Sequence, residues 1–398
     1  MELITTLPIP ARGTPLTAEQ AMRLAISEAY KGATGASPNP LVGSVVVDER
    51  GGFLACGYHE FYGGPHAEVN AVKNLSHEDL RNAHVYVTLE PCAHEGKTPS
   101  CAKMLAKLPI KKVTFGLIDP NPLVAGQGAD ILRQAGIAAD VFSSADVTAD
   151  QDIKIKLEEV CEAFLWNFRH KKTFVALKMA SSLDGQVALR SGESQWITGP
   201  QSREYVHYLR ACYDAILVGK GTIEFDNPSL DIRHATIKKK NKVVVIDGEG
   251  ELLAKYSQLK LASLHSGEDV FWCVAKEMQE HIEQRLTKAS VKPQIVYVAT
   301  KVGGDLDLQD LLAQLYTKGL RSVMVEGGAL TASSFLEHGL VNRLYLFQAP
   351  ILMGSGGSKS WTETVRVPVM AEKIHVKNPR HLTFGDDFMI TGTFKKET

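Results

Sequence analysis

The first part of the chain alternates helical and strand-like patterns of apolar residues. Residues 17–31 repeat apolar side chains at helical spacing behind Thr17, which predicts a helix with a threonine N-cap. Further helices are predicted over 65–75 and from Thr98-Pro99 to about Leu108, because proline is favoured in a first helical turn. A buried strand is predicted at 41–47, and further strands are predicted at 84–90 and 111–119. This alternation is typical of a layered α/β domain.

A second series of strands follows a long, mostly polar stretch at 146–172, which we interpret as a helix that contains a domain boundary. We therefore expect two domains, 1–165 and 166–398. The end of the chain reads as strands joined by turns, so the second domain is predicted to be α/β with an antiparallel finish. Its strands are predicted at 173–180, 215–219, 243–247, 270–275, 294–298 and 322–328, and its helices include 200–212 and 308–320.

Length and charge narrow the function classes. A chain of 398 residues exceeds what one hydrophobic core usually organises, in agreement with two domains. Its 44 Lys and Arg residues balance 45 Asp and Glu residues, and the net charge of -1 provides no field for binding a nucleic-acid backbone. The basic run KKKNK at 238–242 is interpreted as a solvated loop. Nucleic acid is therefore not an expected partner.

The apolar residues do not form a membrane or export signal. No segment approaches about 18 uninterrupted apolar residues, the length of a membrane span. The first residues lack a charged region followed by an apolar one, so we expect a cytoplasmic protein without a membrane partner. The six cysteines are then expected to be thiols and not disulfides.

Two of these cysteines, Cys92 and Cys101, lie among prolines and polar residues and follow His66 in the sequence. One imidazole and two thiolates form a three-ligand zinc set that leaves the fourth tetrahedral position for water. Zinc lowers the pKa of such a water to about 7. Glu68, two residues from the histidine, can take the proton of the water and deliver it to a leaving amine.

Each of these residues alone has a simpler interpretation. His66 could be an ordinary residue at a helix start, Glu68 a solvated acid in the first turn, and the two cysteines could have no function. Their order, H-x-E…P-C…C, is typical of zinc-dependent nucleobase deaminases. Those enzymes usually carry C-x-x-C, whereas eight residues separate Cys92 from Cys101 here. The insertion contains His94 and Lys97, which suit contacts to a phosphate or a sugar hydroxyl, although the segment could also be a solvated loop.

The motifs SPNPLVG (37–43), GYH (57–59), GGPHAEVNAV (63–72), YVTLEPCAHEGKTPSC (86–101) and DPNPLVAGQG (119–128) resemble the deaminase half of the bifunctional riboflavin-biosynthesis deaminase–reductase family. The resemblance covers about residues 15–145 and implies a cytidine-deaminase-like three-layer domain. It implies zinc ligands at His66, Cys92 and Cys101. Around them, the pocket for a pyrimidine ribosyl phosphate would be lined by Asn39, His59, His94, Lys97, Asp119 and Asn121.

In the second domain, two strand ends are rich in glycine. Gly219-x-Gly221 lacks the third glycine of a G-x-G-x-x-G fingerprint, which disfavours a Rossmann domain. The run VEGGALTASSFL (325–336) predicts a strand, two glycines and a helix, whose free N–H groups can bind an anion. A plain strand–turn–helix connection would have the same pattern.

These runs resemble the reductase domain of the same family over about residues 173–355. The resemblance implies a dihydrofolate-reductase-like fold and NADPH as the cofactor. The residues that would contact NADPH are Ala180, Trp196, Thr222, Asp226, Gly328, Ala329, Leu330, Thr331, Ala332, Ser333 and Ser334. Those that would contact the substrate are Ser194, Arg210, Leu230, Arg233 and Glu326, with the two arginines near its phosphate. Lys178 and Asp184 match family positions without an assigned role, and 247–259 departs from the family pattern.

The leading hypothesis is an α/β enzyme of riboflavin biosynthesis with Zn²⁺ and NADPH as cofactors. It would deaminate 2,5-diamino-6-(5-phosphoribosylamino)pyrimidin-4-one and then reduce the ribosyl side chain to ribityl. One alternative is a nucleic-acid deaminase with an appended binding domain, which the neutral charge and the long Cys–Cys segment disfavour. Another is a second domain that serves only assembly. We also expect a homo-oligomer, either a dimer or a tetramer.

Overall fold

A computed structural model describes residues 7–95, 99–121, 125–286, 292–357 and 359–394. The chain divides into two compact units, Met1–His170 and Lys171–Thr398. The boundary expected after residue 165 falls inside the last helix of the first unit, whose final turn therefore belongs to that unit.

The first unit is a five-stranded sheet between helices. Its strands are β1 (Gly43–Val47), β2 (Phe53–Tyr58), β3 (His84–Leu89), β4 (Lys112–Leu117) and β5 (Ala138–Val141). Its helices are α1 (Ala18–Tyr30), α2 (Ala67–Val72), α3 (Cys101–Leu105), α4 (Gln127–Gln134), α5 (Val147–Val160) and α6 (Glu162–His170).

The strand order of this sheet is β2-β1-β3-β4-β5, with β1 antiparallel to both neighbours and β3, β4 and β5 parallel. Alternate side chains of each strand enter two different cores. Val85 and Val87 pack with residues of α2, α3 and α4, whereas Tyr86 packs with residues of α1 and α5. Because successive side chains of a strand point to opposite faces, the sheet is covered by helices on both faces, which gives three layers. Helices α2 and α3 lie on the same face.

The observed helices match the sequence prediction at α1 but depart from it at α3 and in the stretch 146–172. Thr17 forms a capping box with Gln20 at the start of α1, as its sequence predicts. Helix α3 begins at Cys101 behind an N-cap of Ser100, later and shorter than expected, and Thr98 lies outside the described residues. The stretch 146–172 forms α5 and α6 instead of one helix.

The second unit contains the larger sheet. Its strands are β6 (Phe174–Ser182), β7 (Ala215–Gly219), β8 (Lys242–Ile246), β9 (Val270–Ala275), β10 (Gln294–Val298), β11 (Ser322–Val325), β12 (Arg343–Ala349), β13 (Lys377–Phe384) and β14 (Asp387–Thr393). Its α-helices are α7 (Pro200–Cys212), α8 (Lys220–Asp226), α9 (Lys260–Leu264), α10 (Gln279–Leu286), α11 (Leu308–Thr317) and α12 (Ala329–Glu337).

The nine strands have the order β10-β9-β8-β7-β11-β6-β12-β14-β13. All neighbours are parallel except for the two pairs that include β14, so the antiparallel finish lies at one side of the sheet. The apolar residues of α11 and α12 cover one face, and Ile282 of α10 packs on the other. The carboxyl ends of β7, β11 and β6 are adjacent, which is where parallel α/β sheets bind ligands.

Both ends of α7 are bonded to distant residues. The Asp387 carboxylate accepts hydrogen bonds from the Gly199 N–H (2.7 Å) and the Ser202 hydroxyl (2.6 Å) at the first turn. The Lys239 ammonium donates to the Ala211 carbonyl (2.7 Å) at the last turn. Both charges complement the helix dipole. Residues 238–241 form a loop, as predicted, in which Lys238 and Lys240 are exposed and the half-buried Lys239 bonds the end of α7.

Candidate functional site

Three potential metal ligands converge in the first unit. His66 Nδ1 lies 3.6 Å from Cys92 Sγ and 3.3 Å from Cys101 Sγ, and all three ligand atoms lie within 4.8 Å of one another. A tetrahedral zinc with ordinary bond lengths separates its nitrogen and sulfur ligands by about 3.5 Å. The donor set and its spacing therefore fit zinc.

Each ligand is positioned by the end of a secondary structure element. His66 is the N-cap of α2, Cys92 follows β3, and Cys101 is the first residue of α3. The Ser100 hydroxyl donates to the Cys92 carbonyl (2.7 Å) and accepts the Lys103 N–H (3.2 Å), which joins the start of α3 to the strand end. A hydrogen bond with Cys101 lowers the pKa of Cys92 to about 4, and so favours the thiolate that binds metals.

Glu68 lies in the first turn of α2 and is 3% exposed. Burial raises its pKa to about 7, and the nearby charge of Cys92 adds to this effect. Because α2 carries both Glu68 and the N-cap His66, the carboxyl group is held beside the ligands without being one of the three. The geometry thus places a proton-exchanging group next to the candidate metal centre.

A cavity of about 420 Å³ opens over this cluster. Asn39 and His59 line it together, with Asn39 Nδ2 at 3.0 Å from His59 Nε2 and His59 Nδ1 at 3.0 Å from the Pro65 carbonyl. The Pro65 carbonyl can only accept, so Nδ1 carries the proton and Nε2 accepts from the amide. Burial lowers the pKa of His59, in agreement with this neutral form.

The other residues expected in this pocket are also brought to it where they are described. His94, Asp119 and Asn121 line the cavity, and the Asn121 N–H donates to the Asp119 carboxylate at 2.8 Å. Lys97 lies outside the described residues. Cys101 is buried behind the lining.

The sequence interpretation missed the aromatic wall of the cavity. Phe164 and Phe168 of α6 line it with their rings 4.8 Å apart, and Tyr62 adds a third ring. Their spacing of four residues places both phenylalanines on one helix face, which is the available signal. The polar composition of 146–172, which is typical of a boundary helix, masks that signal.

In the second unit, two glycine-rich turns interlock at adjacent strand ends. Thr222 Oγ1 of α8 accepts the Gly328 N–H (3.2 Å), and a side chain on Gly219 would overlap Thr331 of α12. The first intrahelical bond of α12 runs from Ala332 to the Gly328 carbonyl, so the preceding N–H groups remain at the helix start. This is the geometry of an anion site.

Several residues predicted to contact the cofactor or substrate have buried side chains. Ala329, Ala332 and Ser333 are buried; Ala332 belongs to the core, and the Ser333 hydroxyl accepts the Thr364 N–H. Leu230 is also a core residue, and its carbonyl accepts from Asn241. The contacts of these four residues to cofactor or substrate stay predictions. Of the remaining predicted residues, Ala180 lies in β6 and the others lie on loops or helices: Ser194, Trp196, Asp226, Leu330, Thr331 and Ser334.

The two arginines expected near the substrate phosphate differ in exposure and in bonding partners. The Arg210 side chain is 13% exposed and forms a bidentate pair with Glu326 (2.8 and 3.0 Å), while a third nitrogen donates to the Asp231 carbonyl. Arg233 is 59% exposed and bonded to Ser229 and Asp231 at 2.7 Å. Arg210 is therefore committed to Glu326, and Arg233 is the arginine accessible to a ligand.

Lys178 and Asp184, which have no assigned role, both interact with other residues of the second unit. Burial lowers the pKa of Lys178, and the negative charge of Glu326 opposes the shift. The Asp184 carboxylate accepts the N–H groups of Met353 (3.2 Å) and Gly354 (2.7 Å). It thereby fastens the segment after β12 to the turn after β6.

Comparison with known proteins identifies both units. The sequence model of the RibD C-terminal domain matches residues 173–390, and that of the cytidine and deoxycytidylate deaminase zinc-binding region matches 16–117. The riboflavin biosynthesis protein RibD of Actinobacillus pleuropneumoniae is 36% identical over 373 residues, which are 93% of each chain. The chain belongs to the RibD family.

Other RibD proteins show the same similarity over the whole length. The RibD of Aquifex aeolicus is 34% identical and covers 93% of this chain and 96% of its own. The structure of Acinetobacter baumannii RibD covers 95% of this chain and 99% of its own, with 29% identity and a TM-score of 0.78. The Thermotoga maritima diaminohydroxyphosphoribosylaminopyrimidine deaminase/5-amino-6-(5-phosphoribosylamino)uracil reductase covers 95% of this chain and 98% of its own, with 30% identity and a TM-score of 0.75.

As a RibD protein, this chain is an enzyme of riboflavin biosynthesis with deaminase and reductase activity, and its cofactors are Zn²⁺ and NADPH. The predicted fold class, a cytidine-deaminase-like domain followed by the reductase domain, is confirmed. Within the described ranges, none of the helices has the length and hydropathy of a membrane span.

Proposed function

We propose that the first unit deaminates 2,5-diamino-6-(5-phosphoribosylamino)pyrimidin-4-one and that the second reduces the ribosyl side chain of the product to ribityl. The buried Glu68 beside the convergent His66, Cys92 and Cys101 carries this proposal. Metal ligands and a proton carrier at the base of a partly aromatic cavity suit hydrolysis of a flat, polar ring.

In the deaminase site, His66, Cys92 and Cys101 would hold zinc, which supplies an activated water when it is bound. Glu68 accepts the proton of that water and delivers it to the amine that leaves as ammonia. The pyrimidine ring lies against the cavity wall that contains Phe164 and Phe168, and its polar edge meets polar residues. Asn39, His59, His94, Lys97, Asp119 and Asn121 are the proposed polar contacts to the substrate.

In the reductase site, the C1′–O4′ bond of the ribosyl ring would first break to leave an imine and a hydroxyl group. NADPH, when bound, would supply the hydride to C1′, and a proton from water would complete the ribityl amine. The start of α12 and Thr222 would bind its phosphate groups through N–H and hydroxyl donors. The exposed guanidinium of Arg233 would bind the phosphate of the substrate. Arg210 holds Glu326 in place, so that the carboxylate faces the substrate in a fixed orientation.

The decisive test is incubation of the purified protein with the diaminopyrimidinone substrate, with and without NADPH. Ammonia release without NADPH, followed by NADPH oxidation when it is added, is expected. Metal analysis should find one zinc per chain, and the double variant Cys92→Ser/Cys101→Ser should lose it. Full zinc retention in that variant would contradict the assigned ligand set.

We also propose a cytoplasmic location and a homo-oligomer, a dimer or a tetramer. Free cysteines, including two candidate zinc ligands, suit a reducing compartment. Apolar side chains at Val369, Met370 and Ile374 are exposed just before β13, the edge strand of the larger sheet, which supports self-association there. Light scattering of the purified protein measures the oligomeric state directly.

A further inference from the structure

A buried carboxylate connects the candidate metal centre to the opposite wall of the deaminase cavity. Glu90 directly follows β3, two residues before Cys92, and is 4% exposed. Its Oε2 accepts the N–H groups of Asp119 (3.2 Å) and Gly126 (3.0 Å), and its Oε1 accepts that of Ala129 (3.1 Å). One side chain at the end of β3 thus bonds residues that follow β4 and the first turn of α4.

Helix α4 has no cap of its own. Its N-cap is Gly126, with a φ of 80° and no side chain to accept a hydrogen bond. The first N–H groups of a helix need acceptors from outside the helix, and a carboxylate is favoured there by the helix dipole. Glu90 provides that acceptor from a different strand, as Asp146 does for α5 from its own N-cap position.

The first turn of α4 lies so close to Pro91 and Glu90 that it requires a second glycine, Gly128. A side chain on Gly128 would overlap the carbonyl oxygen of Pro91 and lie 3.2 Å from Glu90 Oε1. The first turn of α4 therefore packs directly on the backbone that leads into Cys92. The same segment begins with Asp119 and Asn121, which line the cavity.

We propose that Glu90 is a positioning residue for deamination, which holds Asp119 relative to the metal ligands through the Asp119 N–H, and with it Asn121, whose own N–H bonds the Asp119 carboxylate. The proposal rests on the proposed substrate contacts of those two residues. Contacts of this kind bind the ground state and the transition state nearly alike, so their displacement raises KM and leaves kcat almost unchanged.

The experiment uses full-length Glu90→Gln and measures ammonia release against substrate concentration. A neutral amide is a weaker acceptor than a carboxylate and offers one accepting oxygen, so KM is expected to rise about tenfold with kcat within about twofold. Zinc content and reduction of supplied deaminated intermediate should remain at wild-type values. Glu28→Gln is the matched control, because Glu28 is equally buried but pairs with Lys31 outside the cavity.

A double-mutant cycle with Asp119→Ala separates the positioning role from other effects. If Glu90 acts through Asp119, the double variant should have a KM close to that of the worse single variant. If the KM of the double variant instead rises by the product of the two single increases, the two residues act independently. That result would overturn the proposal for Glu90 and leave the substrate role of Asp119 intact. An unchanged KM in Asp119→Ala alone would instead refute that substrate role, and with it the positioning of Asp119 by Glu90.

Gly128→Ala tests the same contact if Glu90→Gln does not fold. The added methyl group pushes the start of α4 away from Pro91 and should also raise KM with kcat retained. A loss of zinc or of kcat at an unchanged KM, in either variant, would show that Glu90 supports the metal centre instead, and would overturn the proposal.

Discussion

Thr222 Oγ1 accepts a hydrogen bond from the backbone N–H of Gly328 at 3.2 Å. The bond joins the first turns of α8 and α12, which follow the neighbouring strands β7 and β11. Two helix starts are thereby held side by side at the carboxyl end of the larger sheet, where both can direct N–H groups to a phosphate.

Replacement of Thr222 by valine removes this hydroxyl at nearly constant volume. The affinity for NADPH is expected to fall about tenfold, because one hydrogen bond that positions the helix starts is lost. Titration calorimetry measures the change, with Thr222→Ser as the control that keeps the hydroxyl. Equal affinity in the valine variant would contradict the role of this bond.

Two glycines at the end of β7, Gly219 and Gly221, allow a matched test of how tightly this turn packs on α12. A side chain on Gly219 would overlap Thr331, whereas one on Gly221 would meet open space. Gly219→Ala should lower the melting temperature of the second unit, and Gly221→Ala should keep or raise it, since alanine is the better helix former. Calorimetric scans of both variants check this order.

Glu68→Gln is expected to keep zinc but to slow ammonia release by about 10²–10⁴-fold, because the amide cannot carry the proton. Metal analysis and NADPH oxidation with supplied intermediate should be unchanged. Glu95→Gln is the control, since that carboxylate is exposed and pairs with Lys103. Ammonia release near the wild-type rate in Glu68→Gln would exclude this residue as the proton carrier.

The two arginines of the reductase site predict opposite phenotypes. Arg210→Met removes the bidentate partner of the buried Glu326 carboxylate and should lower the free energy of unfolding by about 3–5 kcal/mol. Arg233→Met removes an exposed cation and should mainly raise KM for the phosphorylated substrate. Denaturant titration and steady-state kinetics of both variants distinguish them, and a destabilised Arg233→Met variant would contradict the assignment.

The two units should work independently. A fragment of residues 171–398 keeps Thr173, whose hydroxyl bonds the carbonyls of Leu312 and Leu320, together with its own core. It is expected to fold, bind NADPH and reduce supplied intermediate without zinc. In the full-length protein, a zinc chelator should stop deamination alone. If chelation also stopped reduction, the two sites would be coupled.

Much of the strand and helix pattern could be predicted from local sequence. Helix α1 with its capping box, the strands β7, β9 and β10, and the helix α7 match the predicted positions. They match because apolar periodicity and end signals act within a few residues. Strands β2 and β5 and helix α4 were not predicted. Strand β5 has only four residues, Gly57 interrupts the strand pattern of β2, and the acceptor for the first turn of α4 is Glu90, which is distant in the sequence.

The sequence by itself determined the chemistry of the first site: one imidazole, two thiols and a carboxyl group in an order that few functions require. Only the tertiary structure decided which side chains surround that chemistry. It placed Phe164 and Phe168 in the cavity, committed Arg210 to Glu326 and enclosed Leu230 in the core. The physical reason is that donor types are properties of single residues, whereas burial and pairing depend on neighbours that are distant along the chain.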